Sequence, residues 1–493
     1  RTNLRAVRNF AYFAVSVVAA ALILIIARRR ASRWAVRTLH RRGIRVSRFK
    51  LARRAQIRES LLAEPEIQLA AKSYAAEHGI SESGATRRVH SYIDEIVPFF
   101  NILAYHSVGY AVSRALLNFF YRVSAEYVSP AAAAELPRDS IVIYLMNHRS
   151  NADYVLVGYV LSGRVAISYA VGEWARAFPL EYIFKSFGSY FIRRRYREPL
   201  YHAVLEKYVQ LVTRNGVTQG IFPEGGLSRD GRLAPGKIGL LDYMLGVARD
   251  PDFRRRMYVV PVAINYDRVI EDRSLLRERD AREGRGRVPK LVQLREVARY
   301  ASWNFARIIG GRWNRYGRAA VAIGEPVSVA RWLSNEEASG RDVLELPRAE
   351  RLPHVQRLCD SMMAEIGAII PVTSVTLACA AIQSFDSDFI RRDALIARME
   401  EMREVLLEMN ARVLRAERSI EDVFERAWKM LAMRRVLSES ETGYAVLPRG
   451  RPLVSYYANS VAHLLGPFES GVRERDALPA ENALHSRTAS PIP

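Results

Sequence analysis

Short runs of apolar and β-branched residues alternate with longer mixed runs through the middle of the chain. Residues 141–145, 165–169, 190–192, 218–222 and 258–264 have the length of buried strands, and 199–214 has the length and composition of a helix. This alternation predicts an α/β domain with a central mixed or largely parallel sheet, because parallel strands need helical crossovers. Helical spacing governs both flanks. In the lead-in, residues 60–130, Ile93, Ile96, Val97, Phe100 and Leu103 mark one apolar face, and a polar, glycine-containing break falls at 83–87. Residues 350–435 return to helical periodicity, with Leu395, Met399, Met402, Leu406 and Met409 on one stripe that predicts core packing.

The first segment changes the picture. Residues 10–27 carry no charge and would span about 27 Å as a helix, close to the hydrocarbon thickness of a bilayer. A single membrane span is expected, with a shallow or re-entrant anchor as the alternative. Arg28, Arg29, Arg30, Arg33 and Arg37 outnumber Arg1, Arg5 and Arg8 on the other side, so the body of the chain is expected on the cytoplasmic face of a cell membrane. The expected division is an anchor and basic segment at 1–58, a helical lead-in at 59–130, the central domain at 131–345, a helical C-terminal domain at 346–470 and a disordered tail at 471–493.

Charge narrows the partners. The 74 basic and 52 acidic residues give a net charge of +22, which favours anionic membrane lipids and anionic substrates. Nucleic acid is not expected as a partner, since no finger or RNA-binding motif accompanies the charge. The two cysteines, Cys359 and Cys379, form no metal-ligand cluster and predict structural burial, and no metal is expected.

Candidate chemistry begins where the run 141–145 ends. His148 and Asp153 lie five residues apart, a rotation of about 140° on a continuous helix, so they meet only if the histidine sits in the strand-to-helix turn and the aspartate in the first helical turn. Ser150 and Asn151 are the expected caps of that helix. A carboxylate so placed fixes one imidazole tautomer and stabilises the charge formed when the other nitrogen accepts a proton. Taken alone, such a pair more often reflects surface polarity, capping or a core hydrogen bond, because short motifs arise by chance.

Further landmarks follow in order. Gly188-Ser189-Tyr190-Phe191-Ile192 runs into Arg193, Arg194 and Arg195, whose planar forks suit phosphate or, alternatively, a lipid-facing basic strip. Phe222-Pro223-Glu224-Gly225-Gly226-Leu227-Ser228-Arg229 supplies a flexible turn, an acid able to hold it, and cations in Arg229, Arg232 and Lys237. Val260-Pro261-Val262 closes the series. The charged stretch 268–284 is expected to be solvated or to form a lipid-side loop.

These residues resemble the glycerol-3-phosphate acyltransferase family, in its membrane-associated glycerol-phosphate/dihydroxyacetone-phosphate branch. The likeness extends from about 90 to 470, taking in Ile366 through Ala380 and the element Tyr456-Tyr457-Ala458-Asn459 with His463, where helix packing is the favoured role. The resemblance implies that His148 and Asp153 are catalytic. It places Arg149, Arg193, Arg194, Glu224, Gly225, Gly226, Ser228 and Arg229 around the substrate, and the nearby cations Arg232 and Lys237 are candidates to join them by their charge. Two departures stand out: Ser189-Tyr190 replaces the familiar Ala-Phe, and Asn147 with Pro223 is more typical of the lysophosphatidate branch.

The implied reaction moves an acyl group from acyl-CoA or another acyl thioester to the sn-1 hydroxyl of glycerol 3-phosphate, without a cofactor. Sn-2 acylation of lysophosphatidate is the enzymatic alternative, and a non-catalytic membrane-lipid scaffold is the alternative of another class.

Overall fold

The computed structural model describes residues 49, 54–99, 110–137, 139–162, 165–176, 180–193, 196–250, 252–253, 255–283, 315–336 and 343–466. The apolar segment 10–27, the arginines at 28–37 and the tail from 471 lie outside these residues. Among the described residues, no helix is long and apolar enough to cross a membrane.

A mixed sheet organises the molecule. Its strands are β1 (Arg122–Tyr127), β2 (Ile141–Met146), β3 (Ser168–Gly172), β4 (Tyr190–Ile192), β5 (Gln219–Ile221), β6 (Met257–Tyr266), β7 (Arg318–Ile323) and the short β8 (Val327–Ser328). They are ordered β1-β7-β6-β2-β5-β3-β4, with β8 pairing β6. The five from β6 to β4 run parallel, and β7 pairs antiparallel with β6. Helices Asp153–Leu161, Pro199–Arg214 and Gly239–Leu245 follow β2, β4 and β5. Every residue of β2 is buried, which is why its sequence is continuously apolar rather than alternating.

The α/β expectation with flanking helices therefore holds, and helix 199–214 falls where it was predicted. Several local expectations change. The lead-in ends in β1, which pairs only with β7 at the sheet edge and leaves Arg122, Ala125 and Glu126 exposed, so it lacks an apolar signature. The break lies at Gly79–Ser81 instead of 83–87: Gly79 adopts φ +62°, and Ser81 caps helix Glu82–Ile96 by accepting the Gly84 N–H. Strand β3 starts three residues later than its apolar run at Val165.

On the C-terminal side, helices Arg348–Ala368, Ser374–Gln383, Arg392–Glu408, Ile420–Met433 and Arg451–Ala458 accompany an unforeseen antiparallel sheet of β9 (Phe389–Arg391), β10 (Leu437–Glu439) and β11 (Gly443–Val446). Leu395, Met399, Met402 and Leu406 are buried as one stripe, whereas Met409 is exposed because its helix stops at Glu408. Cys359 and Cys379 are free and buried. A continuous apolar core joins the sheet to these helices, through residues such as Val262, Ile366, Ala378 and Tyr457.

Candidate functional site

Parallel neighbours end on the same side of a sheet, so the chain leaving β2 meets the chain leaving β5. Asn147 fixes the departure point. Its amide donates to the Ile264 carbonyl at 2.9 Å and accepts the Ile264 N–H at 2.7 Å, pinning the end of β2 to β6 with a side chain. His148 is the next residue.

Asp153 is the first residue of its helix, and its carboxylate folds back over the turn. Oδ2 meets His148 Nδ1 at 2.9 Å and accepts the N–H groups of Arg149 and Ser150 at 2.7 and 3.0 Å. Oδ1 accepts the Tyr266 hydroxyl at 2.6 Å. The histidine and aspartate side chains are 1% and 0% exposed, so the pair must supply internally whatever charge stabilisation water would have given. Ser150 and Asn151 do not cap this helix: Ala152 occupies the N-cap without a side-chain bond. Ser150 instead accepts the Ala152 N–H at 3.1 Å and donates to Glu271 at 2.7 Å, and Glu271 also accepts the Asn151 N–H. Burial pushes the Glu271 carboxyl above its ordinary range.

The loop after β5 holds the histidine backbone from both sides. Glu224 accepts the His148 N–H at 2.6 Å and the Ala234 N–H at 3.1 Å, while the Ser228 N–H donates to the His148 carbonyl at 3.0 Å. Burial, opposed by these backbone donors, pushes the Glu224 carboxyl up to about 7. Ser228 also shapes its own turn, donating to the Arg232 carbonyl at 2.8 Å and accepting the Gly231 N–H at 3.1 Å. Gly225 adopts φ +72°, and a Cβ there would lie 3.0 Å from the Lys237 ammonium, so a larger residue would meet both strain and crowding. Gly226 follows in the half-buried part of the loop. Phe222 stacks on the imidazole at 4.1 Å between centroids, and Tyr154 meets it edge-on at 5.4 Å.

The cations are distributed differently. Arg149 is buried, donates through Nη1 to the Gly231 carbonyl and lies 5.0 Å from the Tyr456 ring centroid, while its Nε and Nη2 make no hydrogen bond. Arg193 leaves β4, separated from β2 by β3 and β5. Its fork is occupied by Glu95, with contacts of 2.7 and 2.5 Å, which hold the guanidinium pKa above its usual value. The Tyr196 ring centroid lies 4.7 Å from the same guanidinium. Arg229 contacts Glu278 at 3.1 Å on the surface, and Arg232 and Lys237 are exposed. Arg194 and Arg195 lie outside the described residues. The structure thus gathers His148, Asp153, Arg149, Glu224 and Ser228, while Arg193 and Arg229 pair with Glu95 and Glu278.

The C-terminal element braces this assembly. Tyr457 and Arg434 both bond Asp272, and Tyr457 accepts the Val269 N–H at 3.0 Å. Asn459 donates to the Asp230 carbonyl at 2.9 Å, and His463 contacts the Gly367 carbonyl at 2.9 Å, so packing is their observed role. In the earlier segment Thr373 forms a capping box with Thr376. The stretch 268–284 is not a solvated loop: Asp272–Arg282 is a helix whose Asp272, Leu275 and Leu276 are buried beneath this network.

Glu95, Tyr266 and Glu271 escaped the sequence reading. Glu95 carried a signal, since it is an acid set between Ile93, Ile96 and Val97 on an apolar helix face. Tyr266 ends a buried strand and Glu271 lies in a charged stretch, and neither context distinguishes a site residue from an ordinary one. Among the described residues no group of three or more His, Cys, Asp or Glu side chains is arranged to hold a metal ion.

A buried imidazole oriented by a carboxylate at the carboxyl edge of a parallel sheet is the arrangement of a general base acting on a bound hydroxyl. An acyltransferase family model matches residues 131–265, spanning the site, and a model of the glycerol-3-phosphate acyltransferase C-terminal region matches 302–467. The central part of the chain is thus similar to acyltransferases, and its C-terminal part to the corresponding region of glycerol-3-phosphate acyltransferases. The chain is 28% identical over 427 residues to a glycerol-3-phosphate acyltransferase of Aeromonas hydrophila subsp. hydrophila, covering 84% of this chain and 50% of the relative. It is 27% identical over 431 residues to that of Pseudoalteromonas translucida, with the same coverage. The chain therefore spans about half the length of the curated relatives it matches. The solved 1-acyl-sn-glycerophosphate acyltransferase PlsC from Thermotoga maritima aligns with 61% of this chain and 95% of that one at 19% identity and a TM-score of 0.30, too distant to decide fold or chemistry.

Proposed function

We propose that this protein transfers an acyl group from an acyl thioester, such as acyl-CoA, to the sn-1 hydroxyl of glycerol 3-phosphate, forming lysophosphatidate. The observation that carries the reading is the buried His148–Asp153 pair, with Nδ1 engaged at 2.9 Å and the histidine backbone held by Glu224 and Ser228. With Nδ1 committed to the carboxylate, Nε2 is the nitrogen that takes the proton. The acceptor oxygen gives its proton to Nε2 as it bonds to the thioester carbonyl carbon. Collapse of the tetrahedral intermediate breaks the carbon–sulfur bond, and the imidazolium returns the proton to the departing thiolate. Asp153 stabilises the imidazolium without taking its proton.

Arg149, Arg193, Arg229, Arg232 and Lys237 supply positive charge for the acceptor phosphate, with Arg194 beside them in sequence. Glu95 and Glu278 already occupy Arg193 and Arg229, so a phosphate would share or displace these acids. The net charge of +22 supports anionic lipids as further partners, and the excess of arginines after the apolar segment 10–27 supports a membrane-bound setting with the body on the cytoplasmic side.

The test is acyl transfer by the full chain reconstituted with membranes, offered glycerol 3-phosphate, dihydroxyacetone phosphate and lysophosphatidate in parallel. Turnover of glycerol 3-phosphate that disappears in His148→Ala is the expected outcome. Preference for lysophosphatidate would move the assignment to the sn-2 step, and activity unchanged in His148→Ala would reject the base.

A further inference from the structure

We infer that the hydroxyl of Tyr266 is a positioning group for the catalytic pair, acting on His148 through Asp153. This inference rests on the proposed role of His148 as the base and adds a residue to that machinery. Asp153 presents two oxygens with different duties. Oδ2 receives three donors, from His148, Arg149 and Ser150, whereas Tyr266 supplies the 2.6 Å bond to Oδ1. A carboxylate buried to 0% exposure cannot fill that oxygen from water, so loss of the hydroxyl leaves a charged acceptor short of a partner and its plane less constrained.

Tyr266 is itself held firmly. It is the last residue of β6, which continues past the end of β2 after the Met146–Val262 pairing. Its ring packs against Tyr121 at 5.4 Å, and Tyr121 is anchored by a 2.8 Å bond to the Arg268 carbonyl. The hydroxyl therefore arrives from a rigid strand on the opposite side of the carboxylate from the imidazole. A donor there draws charge from Oδ2, tempering how strongly Asp153 favours the imidazolium, while fixing the oxygen that Nδ1 must meet. Other charged or titratable neighbours are Arg149 and Glu271 around Asp153, Tyr154 and Glu224 around His148, and Tyr121 against Tyr266.

The experiment compares wild type, Tyr266→Phe, Asp153→Asn and the double variant in the full reconstituted chain. Tyr266→Phe is expected to lower kcat roughly tenfold, the scale of one hydrogen bond to a charged group, with KM for the acceptor unchanged. The acid limb of its pH–rate profile should move to higher pH, because Asp153 then holds more charge against the imidazolium. In the Asp153→Asn background the same change should add little, since it acts through that carboxylate. Tyr121→Phe, which removes a neighbouring buried hydroxyl, should leave the acid limb in place.

If Tyr266→Phe does not fold, a fluorinated tyrosine at 266 keeps the shape, strengthens the donor and should move the acid limb to lower pH. An unmoved pH profile in folded variants, or an undiminished effect of Tyr266→Phe in the Asp153→Asn background, would overturn the inference. The proposed reaction is checked separately by whether wild-type transfer is lost in His148→Ala. Should wild type show no transfer, the His148 titration followed by nitrogen NMR in wild type and Tyr266→Phe still decides whether Tyr266 acts on the pair.

Discussion

The turn at 147–153 and the arginines at 193 and 229 are built differently. In the turn, the Asp153 carboxylate oxygens and both backbone polar groups of His148 have hydrogen-bond partners inside the protein. At the arginines, cations pair with Glu95 and Glu278 and remain partly open to solvent. The difference teaches where precision resides. A proton-transferring group must be oriented before substrate arrives, so its neighbours are committed to it. A partly exposed ion pair can exchange one anionic partner for another at small cost, so the arginines are held less strictly than the turn.

The largest way to break the contrast is to remove the base. His148→Ala is expected to lower kcat by about 10³-fold or more, the upper part of the range for general-base catalysis, with retained secondary structure at the assay temperature as the control for folding. Glu224→Gln comes next. An amide replaces one acceptor oxygen with a donor, so it cannot accept both the His148 and Ala234 N–H groups, and kcat should fall roughly 10²-fold, measured by steady-state transfer.

The same variant sharpens a pH prediction. The Glu224 carboxyl is raised from 4.5 to about 7 in the fold, so between those values the native state retains a proton that the unfolded state has released. Its contribution to stability is thus greatest in acid and is lost as pH rises through about 7, a decline on the order of 3 kcal/mol. Denaturant unfolding of wild type against Glu224→Gln should show that decline only in wild type. Above that range the ionised carboxylate still accepts both backbone donors, which means stability is given up to keep the histidine loop in place.

Smaller effects belong to the rim. If Arg193 contacts the acceptor phosphate, Arg193→Ala should raise KM for glycerol 3-phosphate about tenfold or more while changing kcat little. Glu278→Gln should change that KM by only a few-fold, because an exposed ion pair is worth about 1 kcal/mol or less. Equal losses from Glu278→Gln and Glu224→Gln in kinetic assays would erase the distinction between the two regions.

Legibility in the sequence follows the same physics. The run at 141–145 announced β2 because a strand covered on both faces must be apolar throughout, and helix 199–214 announced itself by length and periodicity. Strand β1 did not, since an edge strand secured by backbone pairing with β7 can be polar. Asp153's return onto His148 was legible from spacing, yet the cap was misassigned to Ser150 and Asn151, because a side chain capable of capping is also capable of bonding a distant acid such as Glu271.

By itself the sequence determined the elements whose pattern is local: the buried strands, the crossover helix, the histidine and aspartate of one turn, and the basic character of the chain. Tertiary structure decided which residues from far along the chain complete that turn. Glu224, Tyr266 and Glu271 lie 76, 113 and 120 or 121 residues from the groups they bond, separations over which no periodicity carries information. Sheet order brings the ends of β5, β2 and β6 together, and burial then requires each polar atom gathered there to find a partner.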